Sequence, residues 1–260
     1  MRIGRFLGGV VVTIYGFILL PLIVIVGVSF NDTARLDFPP TGLSLRWYET
    51  LIQNPNFMHA LLGVSLPVGI ASALSATLLG TLAALGIVRH RFPGRDVLQA
   101  VFLVPLVVPH ILLGAALYLW FASLGFSASI ATLVLGHILI ATPYVIRTVT
   151  AGLVGLDKSI EEAARDLGAS RFGCFFYVVM PQLRSSLVSG GIFALIVSFS
   201  DINIALFVSG PETTTVPVFL FSQIQWDSDP SIAAASAGQI VLIGLTIFAI
   251  QTIFRARIGR

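Results

Sequence analysis

The side chains equipped for chemistry fall in two places. Residues 157–168 read Asp-Lys-Ser-Ile-Glu-Glu-Ala-Ala-Arg-Asp-Leu-Gly, a dense charged segment in an otherwise apolar chain. Carboxylates such as Glu161, Glu162 and Asp166 can make charge-assisted hydrogen bonds to a partner. The second place is an apolar stretch where Asp201 is the only acidic residue, with Asn203 two positions on. His110 and His137 lie in two further apolar stretches. The four histidines, His59, His90, His110 and His137, are too scattered to suggest a metal site. Cys174 is the only cysteine, so an internal disulfide and a Cys-based metal cluster are both excluded. The phosphate-loop pattern G-x-x-x-x-G-K-[ST], His-Glu-x-x-His and Gly-x-Ser-x-Gly are all absent. The chain therefore reads as no enzyme in its own right.

The elements that must carry these residues follow from composition. Of 260 residues, 56% are hydrophobic and only 10% charged. Soluble domains carry about 25% charged residues. The mean hydropathy of +0.96 agrees with the charge deficit. A soluble enzyme, a disordered chain and a nucleic-acid-binding domain are excluded. The net charge of +3 reflects arginine in membrane-flanking loops rather than a nucleic-acid partner.

A helix needs about 20 mainly apolar residues to cross a bilayer. Six runs qualify: 8–30, 60–88, 97–121, 130–149, 187–209 and 234–254. Their backbones must be satisfied internally, so helices are expected, and the alternation of a β-barrel is missing. The expected fold is all-α, a single polytopic membrane domain over 1–260 with six transmembrane helices. With the N-terminus inside, the inner segments hold Arg2, Arg5, Arg89, Arg91, Arg95, Arg147, Lys158, Arg165, Arg171, Arg184, Arg255, Arg257 and Arg260. The outer segments hold only Arg35 and Arg46. This asymmetry predicts cytoplasmic N- and C-termini. The outer loops carry Asp32, Asp37, Glu49, Glu212, Asp227 and Asp229, for solvation or for docking a partner or cation.

Small residues repeat every four positions in the second run, as Ser65, Gly69, Ala73, Thr77, Thr81 and as Ser72, Ala76, Gly80, Ala84. Two such rows predict close helix contact within the membrane. Pro105, Pro109 and Pro143 each remove a backbone donor and are candidate kinks.

Residues 151–184 are too polar for lipid and predict two short helices. Ser159 and Glu162 have capping-box spacing, with Ser159 as N-cap and Asp157 competing for that role. Gly168 is placed to end the first helix in the left-handed conformation. Ser170 can cap the second, which runs to Pro181, and Pro181 suits the opening of the fifth span. The acidic first turns present Glu161, Glu162, Arg165 and Asp166 to solvent or a partner, and favour a protein over anionic lipid.

Glu162-Ala163-Ala164, three residues, Gly168, nine residues, then Val178-Val179-Met180-Pro181 resembles the E-A-A-x3-G-x9-I-x-L-P motif of ABC-importer permeases. The six spans, with Leu167-Gly168-Ala169-Ser170, Gly136-His137, Pro143-Tyr144-Val145 and Ser209-Gly210-Pro211, resemble the spermidine/putrescine-type group over essentially the whole chain. The resemblance implies the type I importer permease fold in a bacterial inner membrane. The loop 157–181 would be a cytoplasmic coupling loop, its contacts made by Glu161, Glu162, Ala163, Ala164, Asp166, Gly168 and Pro181. It implies a dimer of cytoplasmic ATP-binding subunits carrying ATP and Mg, with no cofactor in this chain. It further implies a second permease subunit, identical or homologous, and an external solute-binding protein. A polyamine is the expected cargo; an opine, a phosphonate, a stand-alone channel or a secondary transporter are the alternatives.

Asp201, Asn203, His110 and His137 are the candidates for the translocation pathway, since an intramembrane carboxylate is expensive. For Asp201 the competing reading is structural: a cap on a broken helix, or a pair with His137 or a hydroxyl. Each histidine either faces a cavity or is satisfied within the packing.

Overall fold

We describe the protein from a computed structural model covering residues 2–226 and 230–258. Asp227, Asp229 and Arg260 lie outside the described residues, as do the side chains of Arg2, Arg5, Arg255 and Arg257. The helices run α1 (Arg2–Ser29), α2 (Arg46–Gln53), α3 (Pro55–Met58), α4 (Leu66–Arg89), α5 (Arg95–Leu103), α6 (His110–Ser123) and α7 (Ile130–Val154). They continue as α8 (Lys158–Asp166), α9 (Arg171–Cys174), α10 (Met180–Ser200), α11 (Asn203–Val208), α12 (Val216–Trp226) and α13 (Pro230–Ile258). Among the described residues five helical stretches are long and apolar enough to cross a membrane, and a sixth forms if a bent pair counts as one span.

The chain divides into two compact units, residues 1–59 with 219–249, and residues 60–218 with 250–260. In the first, Asn31 organises the segment after α1. Its amide donates to the carbonyls of Arg35 at 3.0 Å and Asp37 at 3.3 Å, and its side-chain oxygen accepts from the Thr41 hydroxyl at 3.2 Å. Its backbone carbonyl accepts the Trp47 indole N–H at 2.8 Å. Arg46 donates to the Asp32 carbonyl and lies 4.5 Å over the Trp47 ring. A loop with a satisfied polar centre needs no extended secondary structure to hold its shape.

The second unit is built on α4, α7 and α10. Of the expected small-residue rows, the one with Ser72, Ala76, Gly80 and Ala84 is where α4 closes on α7, and the one with Gly69 and Thr77 meets α10. Ala76 and Ala84 are fully buried, and a β-carbon on Gly80 would lie 2.7 Å from Val145 Cβ. A β-carbon on Gly190 of α10 would lie 3.3 Å from Val145 Cα. Lipid offers no hydrophobic drive between helices, so this backbone-to-backbone approach supplies the packing. Pro143 is buried inside α7, which stays continuous through it and extends five residues beyond the expected end, to Val154. Pro181 sits in the first turn of α10, but the chain is already helical there, because a π-helical turn at Phe175–Val179 joins α9 to α10.

Two expected spans are broken. Over 97–121 the chain bends by 102° between the α5 segment and α6. Pro105 lies in a 3₁₀ turn and Pro109 caps α6, so neither position supplies the N–H of a straight helix. The expected fifth span 187–209 instead starts earlier and stops at Ser200; the backbone is extended at Asp201 and resumes as α11.

Candidate functional site

The α8 segment is assembled from local signals. Asp157, with ψ at 119°, is the N-cap, and its carboxylate accepts the Ser159 N–H at 2.9 Å. The expected cap at Ser159 is thus displaced by two residues, since an ionised carboxylate is the stronger acceptor for an exposed helix N-terminus. That hydrogen bond holds the Asp157 carboxyl below its usual range. At the other end the Gly168 N–H donates to Arg165 O at 2.8 Å and the Ala169 N–H to Ala164 O at 3.0 Å. This pair of bonds is a Schellman closure, and it places Gly168 at φ +88°, the left-handed region expected for it. Ser170 then caps α9, its hydroxyl accepting the Gly173 N–H at 3.0 Å.

Glu162, Ala163, Arg165, Asp166, Gly168 and Pro181 are exposed, and Ala164 is half-buried. Glu161 departs from the expectation that it faces a partner. Its carboxylate is ion-paired with the Arg89 guanidinium at the end of α4, with side chains only 15% and 16% exposed. A helix of α8's periodicity puts consecutive residues about 100° apart, so one glutamate turns inward while the next stays out. Arg89, His90, Lys158, Arg165 and Arg171 line a cleft of 570 Å³ beside α8 with Glu161 and Glu162.

At the broken fifth span, Asp201 uses both carboxylate oxygens. Oδ1 accepts the Ile204 N–H at 2.8 Å, and Oδ2 lies 3.1 Å from His110 Nδ1. The Asp201 side chain is 4% exposed and that of His110 27%. Asp201 therefore meets the structural alternative on both counts, capping a broken helix and pairing with a histidine, although the histidine is His110. His137 is buried and bonds Ser198 Oγ at 2.7 Å through Nδ1. Asn203 is half-buried in the first turn of α11. Gly114 of α6 packs there so tightly that a β-carbon would lie 2.7 Å from the Asn203 carbonyl oxygen. The structure thus brings His110, Asp201 and Asn203 together at the α6–α11 contact.

Residues 76–260 match the sequence family described as binding-protein-dependent transport system inner membrane component. The chain belongs to this family. It is a membrane-spanning permease subunit of an ABC importer, resident in a bacterial inner membrane. The permease is 36% identical over 248 residues to the putrescine transport system permease protein PotI of Escherichia coli K12, covering 92% of this chain and 88% of that one. It is 31% identical over 254 residues to the spermidine/putrescine transport system permease protein PotC of the same strain, covering 97% and 96%. Its fold matches a bacterial ABC transporter involved in importing the acidic polysaccharide alginate, with TM-score 0.73 over 97% of both chains at 15% identity.

Sequence reasoning missed three features of this permease. Arg89 stands out only as one of several loop arginines. The Asp201–His110 pair joins residues far apart in sequence, and nothing local announces it. Leu167 and Phe172 stand 89% and 80% exposed on either side of Gly168; large apolar residues in a polar loop were the available signal.

Proposed function

We propose that this permease forms half of a pathway importing a polyamine such as putrescine or spermidine, delivered by an external binding protein. The cargo is inferred from the two polyamine relatives, each matched over most of its length. The other half is a second permease subunit, identical or homologous. A dimer of cytoplasmic ATP-binding subunits, carrying ATP and Mg, docks on the 157–181 segment, and both termini face the cytoplasm with it.

The observation that carries the docking reading is the outward face of α8. Glu162, Ala163, Arg165 and Asp166 are exposed on a capped helix whose ends are set by Asp157 and Gly168. Alanine lets a partner approach closely, Glu162 and Asp166 offer charge-assisted hydrogen bonds, and Leu167 and Phe172 add apolar area. In the pathway set, Asp201 acts as frame, since both its oxygens are engaged, while His110 keeps an open side toward a solute and Asn203 flanks it.

Tagged purification from native membranes tests the docking. The wild type is expected to retain an ATP-binding subunit and a permease homologue or second copy, and Glu162→Lys to lose the ATP-binding subunit. Equal retention by the mutant refutes the assignment of Glu162. Cargo is tested by uptake of labelled putrescine into proteoliposomes of the whole complex. Competition by unlabelled spermidine is expected; absence of putrescine uptake in a complex that hydrolyses ATP refutes the polyamine reading.

A further inference from the structure

We propose that Arg89 is the positioning residue through which movement of α8 reaches the membrane core, by its ion pair with Glu161. The inference rests on the reading that α8 is the docking helix for the ATP-binding subunits, and it goes beyond that reading by naming the link.

The attachment of α8 is otherwise slight. No residue of α8 is fully buried, so packing does not anchor it. Its backbone leaves through turns containing Gly155 on one side and Gly168 on the other. Within the helix, Glu161 is the acidic side chain that turns inward, and its partner sits in the last turn of α4. The Glu161 carbonyl also lies 3.8 Å from the Cys174 thiol of α9. Exposed ion pairs are solvated and loosely held, and transmit little. This pair is more than four-fifths enclosed, where a lower effective dielectric strengthens the attraction and desolvated charges strongly disfavour separating.

The far side of the link is stiff. The α4 helix meets α7 through Ala76, Gly80 and Ala84, and Val145 of α7 is caught between Gly80 and Gly190. A load on Arg89 therefore displaces α4, α7 and α10 as a block, because close-packed faces are bistable rather than continuously deformable. Lys158, Arg165 and Arg171 line the same cleft and could compete for Glu161, yet the arginine it pairs with is the one rooted in α4. A pair with any of the others would tie the 157–174 segment to itself and leave the span unattached.

The test uses the whole complex in nanodiscs. A nitroxide at position 82, on the exposed side of α4, reports movement on adding ATP with vanadate, while buried Cys174 stays unlabelled. Arg89→Gln is expected to keep the ATP-binding subunit bound and hydrolysing, to lose the ATP response at position 82, and to transport at least about fivefold less putrescine per ATP, the lower end of ordinary coupling effects. The exchange R89E with E161R is expected to restore the response, which a merely structural arginine would not do. If Arg89→Gln fails to reach the membrane, the neutral Arg89→Met and the exchange carry the same comparison. A wild-type response in Arg89→Gln, or an exchange that folds without recovering it, overturns the proposal while leaving the docking reading intact. A wild-type complex without a bound ATP-binding subunit overturns both.

Discussion

Glu162 on the short helix α8 and Asp201 in the extended break between α10 and α11 are both carboxylates, and they are held in opposite ways. Glu162 is exposed on α8, and water can satisfy it. Asp201 is 7% exposed, with one oxygen on the Ile204 N–H and the other on His110. Each solution fits its surroundings. In a polar loop an acid remains available to a partner. Where a helix breaks amid apolar packing, the freed backbone N–H must find an acceptor, and a charge brought in for that purpose must find its own partner. Availability and burial separate contact residues from framing residues more cleanly than residue type does.

The sharpest way to break this contrast is Asp201→Ala. It removes the acceptor of the Ile204 N–H and the partner of His110, and a buried polar group left unsatisfied costs about 1–3 kcal/mol each. Denaturant titration in detergent should register that loss. Asp201→Asn keeps an oxygen for the Ile204 N–H and is expected to cost clearly less. Equal stability of the alanine and wild-type proteins would remove the carboxylate from the frame.

Gly80→Val comes next. It drives a branched side chain into Val145 and is expected to destabilise by about 1–3 kcal/mol, read in the same titration. Gly168 provides the loop counterpart. A β-carbon there meets nothing within 4 Å, so the penalty is backbone strain at φ +88° rather than collision. We expect Gly168→Asp to leave the spans folded while lowering putrescine uptake per ATP hydrolysed. Global unfolding in place of uncoupling would show that the turn frames the fold as well.

The smallest effect concerns Asp157. Its carboxyl titrates below the usual range because the folded state hydrogen-bonds the charged form. The stabilising cap is therefore present above the ordinary carboxylate pKa of about 3.9 and is lost as pH falls through the lowered folded value. Amide exchange of α8 should accelerate over that acidic window relative to α7, and Asp157→Ala should abolish the difference.

Much of this was legible in sequence, because local and periodic signals decided it. The α4 small-residue rows, the left-handed turn at Gly168 and the Ser170 cap each depend on neighbours within one or two helical turns. The same is not true of the 102° bend. Apolar composition continues across Pro105 and Pro109, so hydropathy reads one run where the backbone makes two. The stop at Ser200 is hidden likewise, since Asp201 is stabilised by a histidine from another helix. Glu161 and Glu162 are indistinguishable by type, and only the approach of α4 decides which one turns inward. Asp157 and Ser159 both have cap chemistry, and the closeness of two good caps left the helix boundary ambiguous in sequence.

The π-helical turn at Phe175–Val179 has a consequence of its own. A widened turn accommodates one residue more than an α-helical one. Everything after it is consequently phased by that extra residue, at about 100° of rotation per position. Gly190, Ala194 and Ser198 face inward on α10 in this phase. The turn therefore sets an angular offset, turning the membrane-embedded face of α10 independently of the polar segment that precedes it. Removing one of its residues would leave the composition of α10 untouched and dial that face away from Val145.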